Sequence, residues 1–306
     1  MLRFVIALLL TLSCGTPPNK AKHIPLSEPQ RAALTDKYKL YSSLVASQQD
    51  AHGFINTDTC DSLLFTGLLG SGIGSTNTVD LPAAEDNLGA WHRRPLSYSE
   101  CYPDGAASTI SRDMLLGVMW YSYTNKRLDI AQNLWSYGTT HNWIMGQGDA
   151  ARIYFTPGLQ ATLAELIYRL GGENHIVARN IPQIYSQNTG YQAHLDLLHI
   201  GLRGELTSKL DDDSLSIVTY NYHRVPQNPL FSYVYHKYTD GNQTETITSL
   251  LDTSLFPDNR LPTNLDRNAP WINERDPIDW APAPTGTPLR VFSGGDLIFV
   301  SWLVLR

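Results

Sequence analysis

The sequence has few cysteines and few charged residues, and it lacks the short motifs of several common enzyme classes. Three cysteines occur in 306 residues, and charged side chains make up 17% of the chain. No His-Glu-x-x-His, Gly-x-Ser-x-Gly or Cys-x-x-Cys is present, so nothing supports a zinc protease, a serine hydrolase or a dithiol redox enzyme. The glycine-rich run 70–75 is not followed by Gly-Lys-Ser/Thr, which argues against a phosphate-binding loop. We therefore expect no cofactor and no metal.

Positive charge is scarce as well, and the formal net charge is −6. A nucleic-acid-binding surface needs clustered Lys and Arg to neutralise phosphates, so a nucleic-acid partner is not expected. Tyrosine and tryptophan are plentiful by contrast, with 16 and 7 residues. Aromatic rings cover the C–H faces of sugars, while amides and acids bond their hydroxyls. This composition suits carbohydrate binding, although many other proteins share it.

The N-terminus has the pattern of an export signal. Arg3 precedes an apolar run of nine residues, 4–12, and Ser13 follows that run. One positive charge, a short apolar stretch and a small residue are typical of a secretory signal. A membrane-spanning helix needs about 20 apolar residues, so we expect this segment to be removed.

Cys14, directly after the apolar run, resembles the cysteine of a bacterial lipobox, which is lipidated and becomes the new N-terminus. Thr11 and Leu12 depart from the usual lipobox residues, and an ordinary signal peptide with a chance cysteine is the alternative. The resemblance implies an exported protein that touches the membrane through a lipid anchor only. Gly15 after the cysteine favours the outer membrane or the periplasmic face.

The predicted layout is a signal peptide over 1–13, a lipidated tether over 14–26 and a single domain over 27–306. Cys60 and Cys101 are then the two remaining cysteines. In an oxidising compartment such a pair favours a disulfide, which would stabilise the fold by about 3–4 kcal/mol on the chain-entropy estimate. Two buried free thiols are the alternative.

Helical periodicity dominates the rest of the chain. Leu34, Tyr38, Tyr41 and Val45 recur at steps of four, three and four, which makes one apolar stripe. Strand-like alternation is scarce. We predict an all-α protein with long ordered loops at 76–108 and 256–288, and with 294–305 as a buried helix or a strand. The other predicted helices are 28–49, 60–69, 111–122, 127–144, 157–171, 190–205, 212–222, 229–238 and 242–252.

The helix start Ser111-Arg112-Asp113, followed by Gly117, resembles helix starts in the (α/α) toroid (six-hairpin) glycoside hydrolases and polysaccharide lyases. The run 50–55, Asp-Ala-His-Gly-Phe-Ile, and the pairing of helices resemble them too. The resemblance is architectural and covers 28–205. It implies a helical-hairpin toroid-like barrel, incomplete or short of twelve helices. It also implies a cleft at one end of the ring that is lined by acids and aromatics.

A glycoside hydrolase needs two carboxyls, one protonated and one charged. We predict Asp113 and Asp61 as this catalytic pair, because both lie at helix starts where loops converge. The alternative for Asp113 is a capping acid with Arg112 as its partner. The predicted substrate contacts are Arg112, His141, Trp143, Asp149, His194, Arg275, Trp280 and Asp296.

Two other hypotheses stay open. A polysaccharide lyase would need a neutral or basic proton acceptor, for which His141 and Tyr154 with Arg152 are candidates. A non-catalytic lipoprotein that binds a glycan or a partner protein is the alternative from another class. His194, Asp196 and His199 suggest a metal site, but on a helix only Asp196 and His199 share a face. A polar cleft lining or a structural Asp–His hydrogen bond is therefore the preferred interpretation.

Overall fold

The computed structural model describes residues 26–46, 49–54, 63–72, 79–97, 110–147, 152–188, 190–224, 226, 228–256, 258 and 295–306. Within these ranges the chain is mostly helical with one two-stranded sheet, which confirms the predicted all-α class. No helix in these ranges combines the length and apolar character needed to cross a bilayer. The three cysteines and the predicted signal peptide lie outside the described residues.

The helices follow the predicted order closely. Helix α9 has the predicted bounds, and the segment predicted as a helix or a strand over 294–305 is a helix from Gly295 to Leu305. The elements are α1 (Glu28–Ala46), α2 (Leu63–Gly72), a 3-10 helix (Leu81–Ala84), α3 (Arg112–Thr124), α4 (Leu128–Thr140), β1 (Ile144–Gln147), β2 (Arg152–Tyr154), α5 (Pro157–Arg169), α6 (Ile176–Arg179), α7 (Gly190–Thr207), α8 (Asp212–Arg224), α9 (Pro229–Tyr238), α10 (Thr244–Leu251) and α11 (Gly295–Leu305).

The predicted helix 127–144 is wrong at its end. Helix α4 stops at Thr140, and β1 pairs with β2 as an antiparallel hairpin in which Gln147 faces Arg152. Asn142 and Trp143 have φ angles of 53° and 62°, and a right-handed helix cannot continue through such residues. The strands are too short for their periodicity to be visible in the sequence.

The helices differ in how they are buried. Every residue of α3 from Asp113 to Ser122 is buried, and α11 is buried on all sides in the same way. Helices α4 and α10 bury one face only. A helix that is apolar all round belongs in the interior, whereas an amphipathic helix covers a surface.

Contacts among the buried helices define the core. Helix α2 packs on α3, and α3 also contacts α5 and α7. Helix α7 contacts α5 and α9, α9 contacts α11, and α11 contacts α2. The Trp120 indole on α3 donates to the Leu198 carbonyl on α7 at 3.0 Å and meets the Phe299 ring on α11 edge-on at 4.9 Å. One side chain thus joins three of these helices.

The contact between α2 and α3 brings two backbones together. A Cβ atom added at Gly67 would lie 2.3 Å from the Gly117 carbonyl oxygen and 2.8 Å from its Cα. Backbone atoms cannot give way as a side chain can, so a side chain at residue 67 would force the helices apart.

A buried carboxylate joins the C-terminal ends of α3, α7, α9 and α11. Glu205 is paired with Lys237 and Arg306. It also accepts hydrogen bonds from the Tyr233 hydroxyl at 3.1 Å and the Tyr123 hydroxyl at 3.4 Å. Burial acts to raise the pKa of Glu205, but the charges of Lys237 and Arg306 outweigh it and hold that pKa below its ordinary value.

Gly67→Ala is expected to destabilise the protein by about 1–3 kcal/mol because it overpacks the α2–α3 contact. Gly201→Ala is the matched control, since a Cβ there would lie 3.5 Å from Val234 and 3.6 Å from Trp120, which is ordinary contact. Alanine in a helix is favoured over glycine by about 1 kcal/mol, so the control should be neutral or stabilising. Denaturant unfolding measures both, and equal effects would contradict the close approach.

Glu205→Gln is expected to lower the free energy of unfolding by about 1.5–3 kcal/mol at pH 7, because the buried carboxylate loses its charge-assisted hydrogen bonds from Lys237 and Arg306. Glu173→Gln is the control, since the Glu173 side chain is 78% exposed. It should change stability by about 0.5 kcal/mol or less. Urea titration followed by circular dichroism measures the free energy of unfolding of both variants. Similar losses of stability for the two would refute the role of Glu205.

Candidate functional site

A cavity of about 460 Å³ lies beside the starts of α3, α5 and α7. Arg112 and Leu116 line it from α3, residues 156–159 from the start of α5, and Gln192 to His199 from one face of α7. The extended segment 182–188 forms a further wall. We call it the α3/α5/α7 cavity.

The start of α5 is fixed by its own sequence. Thr156 is the N-cap, and its hydroxyl accepts a hydrogen bond from the Leu159 amide at 3.4 Å. Pro157 occupies the first turn, where a missing N–H costs nothing. The sequence predicts this start, and the structure confirms it.

Asp196 is the carboxyl that faces the cavity. Asn188 Nδ2 donates to its Oδ2 at 2.7 Å, and Gln192 Nε2 donates to its Oδ1 at 2.9 Å. Burial raises the pKa of Asp196 above its ordinary value, although the two amides and the charge of Arg112 act to lower it. Neutral amides hold the group in place without forcing it to ionise, so it retains a proton at higher pH than an exposed aspartate.

His199 lies one helical turn further along the same wall. Its Nε2 is 2.7 Å from the Thr162 hydroxyl, and its Nδ1 is 3.2 Å from the Tyr185 hydroxyl. Since the Thr162 hydroxyl donates to the Gly158 carbonyl at 3.1 Å, it accepts from Nε2–H, and Nδ1 then accepts from Tyr185. Burial, helped by the charge of Arg203, lowers the pKa of His199 to about 3.

The hydrogen bonds of His199 hold the cavity wall together. They run from Tyr185 in the extended segment, through His199 on α7, to Thr162 on α5. Burial also raises the pKa of Tyr185 above its ordinary value. Both groups are therefore neutral at pH 7, and both imidazole nitrogens are engaged.

Arg112 and Asp113 are neighbours in sequence with different surroundings. Arg112 is exposed at the cavity, and across the described part of the chain it has no ion-pair partner. Asp113 is buried, and its Oδ1 accepts a hydrogen bond from the Ser111 hydroxyl. The structure thus places Arg112, but not Asp113, among the residues that line the cavity.

His194 and Asp296, which we predicted independently as substrate contacts, are hydrogen-bonded to each other. His194 Nε2 lies 3.0 Å from Asp296 Oδ1, and Asn228 Nδ2 donates to Asp296 Oδ2 at 3.1 Å. Asn228 also caps α9 through its side-chain oxygen. His194, Asp296 and Asn228 are all buried, and their hydrogen bonds connect α7 with the starts of α9 and α11.

His141 and Trp143 lie elsewhere, at the end of α4. The exposed His141 ring stacks on Tyr137 at 4.0 Å and lines a separate polar hollow with Glu85, Asn133 and neighbouring residues. Trp143 packs edge-on against Trp135 at 4.9 Å and lies parallel to Phe155 at 6.1 Å. Neither residue lines the α3/α5/α7 cavity.

The remaining predicted site residues, Asp61, Asp149, Arg275 and Trp280, lie outside the described residues. The run 50–55 is described as far as Phe54, and Asp50 holds a turn there by accepting from the His52 and Phe54 amides at 2.8 and 2.9 Å. Sequence reasoning missed the roles of Gln183 and Tyr185, because the segment that carries them has no periodicity. For Asp196 and His199 the signal was present in their shared helix face.

Among the described residues, no group of three or more His, Cys, Asp or Glu side chains is arranged to hold a metal ion. Comparison with known proteins adds no assignment: no family model matches the chain, and neither a curated protein nor a solved structure is significantly similar to it. The site is therefore interpreted from its own geometry.

Acid should destabilise the protein through His199. The unfolded chain binds a proton near pH 6.5, whereas the folded imidazole stays neutral down to about pH 3. Stability is therefore fully present above pH 6.5 and declines as the pH falls toward 3, by about 2 kcal/mol at pH 5. His199→Gln should flatten this slope in unfolding measured between pH 8 and 5. Identical slopes for the two proteins would contradict a buried neutral imidazole.

Proposed function

We propose that the helices form an (α/α) toroid. The contacts support this proposal because they pass from α2 through α3, α5, α7, α9 and α11 and return to α2. The helices α1, α4, α8 and α10 each contact members of this set, as the second helices of hairpins would. The 259–294 region, which precedes α11, lies outside the described residues.

The direction of the helices supports the same proposal. Residues at the starts of α3, α5 and α7 line one cavity, and the starts of α9 and α11 are linked to α7 through Asn228, Asp296 and His194. Glu205 and its partners join the opposite ends of α3, α7, α9 and α11. Parallel inner helices with their N-termini on one side explain both sets of contacts.

We further propose that the α3/α5/α7 cavity binds a carbohydrate, and that Asp196 donates a proton to it. The observation that carries this proposal is a buried carboxyl with a raised pKa, held in the cavity wall by two amides and close enough to Arg112 to feel its charge. A general acid in glycoside hydrolysis must keep its proton near neutral pH, and burial is the usual means. Asp196 replaces Asp61 and Asp113 as our first choice for this acid.

Hydrolysis also needs a second, ionised carboxylate. Asp113 and Asp61 remain the candidates for it. Asp113 follows Arg112 on α3, and Asp61 precedes α2, which packs on α3. Asp113 lies at the start of α3, beside the cavity but not among the residues that line it, and Asp61 lies outside the described residues.

The cavity supports a hydrolase better than a lyase. A lyase needs a free proton acceptor, but both nitrogens of His199 are engaged and its pKa is lowered to about 3. Tyr185 has a raised pKa, and its hydroxyl already donates a hydrogen bond to His199 Nδ1. Neither group is a ready base at neutral pH.

The proposed location on the cell envelope depends on residues 1–15 alone.

Asp196→Asn should lower the release of reducing ends from a susceptible polysaccharide by about 10²–10⁴-fold, the usual contribution of a general acid. Wild-type activity should also fall as the pH rises through the raised pKa of Asp196, because the acid then loses its proton. A panel of purified polysaccharides and aryl glycosides, assayed from pH 4 to 9, measures both effects.

Asp213→Asn is the matched control, since Asp213 is exposed in the first turn of α8. It should keep full activity. Full activity of Asp196→Asn would remove the proposed acid. If the wild-type protein binds glycans without cleaving them, and the Asp196→Asn variant binds them with the same affinity, the protein is a non-catalytic binding protein instead.

A further inference from the structure

The α3/α5/α7 cavity contains a hydrogen-bond acceptor that no described residue satisfies. Gln183 is 3% exposed and lines the cavity, and its Oε1 is a buried atom that accepts no hydrogen bond from the described residues. Its Nε2 donates to the Ile181 carbonyl at 3.2 Å. A flipped amide would place Oε1 against that carbonyl oxygen, so the Ile181 contact fixes the acceptor in its unpaired position.

The start of α5 leaves room for this amide. A Cβ atom added at Gly158 would lie 2.8 Å from Gln183 Oε1 and 3.5 Å from His199 Cε1. Only glycine at residue 158 allows the carboxamide to occupy this position. The Gly158 carbonyl also accepts from Thr162, so the same glycine takes part in the hydrogen bonds that hold His199.

We propose that Gln183 determines specificity by accepting a hydrogen bond from a ligand hydroxyl or amide N–H. The proposal rests on the proposed function, in which the ligand is a carbohydrate rich in such donors. A buried acceptor left unpaired is costly, and a ligand that supplies the donor removes that cost. Sites that read a hydroxyl in this way reject analogues that lack it far more strongly than apolar pockets do.

The chain contains a matched control for this residue. Gln243 is 7% exposed, its Nε2 donates to the Tyr233 carbonyl at 3.3 Å, and its Oε1 is likewise a buried atom with no partner among the described residues. It does not line the α3/α5/α7 cavity. Gln183→Met and Gln243→Met therefore remove the same groups, but only the first removes an acceptor from the cavity.

The test is a thermal-shift and calorimetric titration of the full chain with methyl glycosides of gluco, galacto and manno configuration, and with myo-inositol as a polyol that is not a sugar. The affinity of each monodeoxyfluoro derivative is then compared with that of the parent glycoside, because fluorine cannot donate a hydrogen bond. Wild type and Gln243→Met should lose about 10- to 100-fold in affinity for one derivative, which is the effect of leaving one buried acceptor unpaired. Gln183→Met should bind the parent glycoside as weakly as wild type binds that derivative, and should not distinguish the two.

Each outcome decides the proposal. If Gln183→Met binds the parent with wild-type affinity and still rejects the derivative, the role of Gln183 is refuted while carbohydrate binding stands. If only myo-inositol binds, and Gln183→Met abolishes that binding, the acceptor is confirmed and the carbohydrate proposal fails. If no probe binds wild type, both proposals are overturned.

Discussion

Removal of water from polar groups at the start of α7 is the constraint on which the site depends. Asp196, His199 and Gln183 are all buried there, and an uncompensated polar group in such surroundings costs free energy. The fold meets this cost in a different way for each residue. Two amides hold Asp196, a hydroxyl on either side holds a neutral His199, and Gln183 keeps one acceptor that no described residue satisfies. Burial raises the pKa of Asp196, and no described cation forms an ion pair with its carboxyl.

The two ends of the helices differ in the electrostatic interactions that hold them. At the C-terminal ends Glu205 sits between two cations and two tyrosine hydroxyls, an arrangement of full charges that favours one fixed geometry. At the N-terminal ends neutral hydrogen bonds surround a cavity, and Arg112 is the exposed cation beside it. Ion pairs thus stabilise one end, while hydrogen bonds from neutral groups hold the cavity wall at the other.

The sequence predicts the helices well because burial leaves a local pattern. The bounds of α9, the proline in the first turn of α5, and the shared face of Asp196 and His199 all follow from side chains close together in the chain. Other features depend on distant contacts. Nothing local shows that His194 meets Asp296, 102 residues away, or that segment 182–188 supplies a cavity wall. The positive φ angles that end α4 early fall on Asn142 and Trp143, where no glycine signals them.

We propose that a glycan binds in the α3/α5/α7 cavity with its glycosidic oxygen facing Asp196. The most direct measurement is a crystal structure of the Asp196→Asn variant, in which turnover should be slow, grown with an oligosaccharide that the wild-type protein binds. A sugar ring should lie between Arg112 and residue 196, and one hydroxyl of the sugar should donate a hydrogen bond to Gln183. An empty cavity beside a sugar ordered in the hollow at Tyr137 and His141 would contradict it.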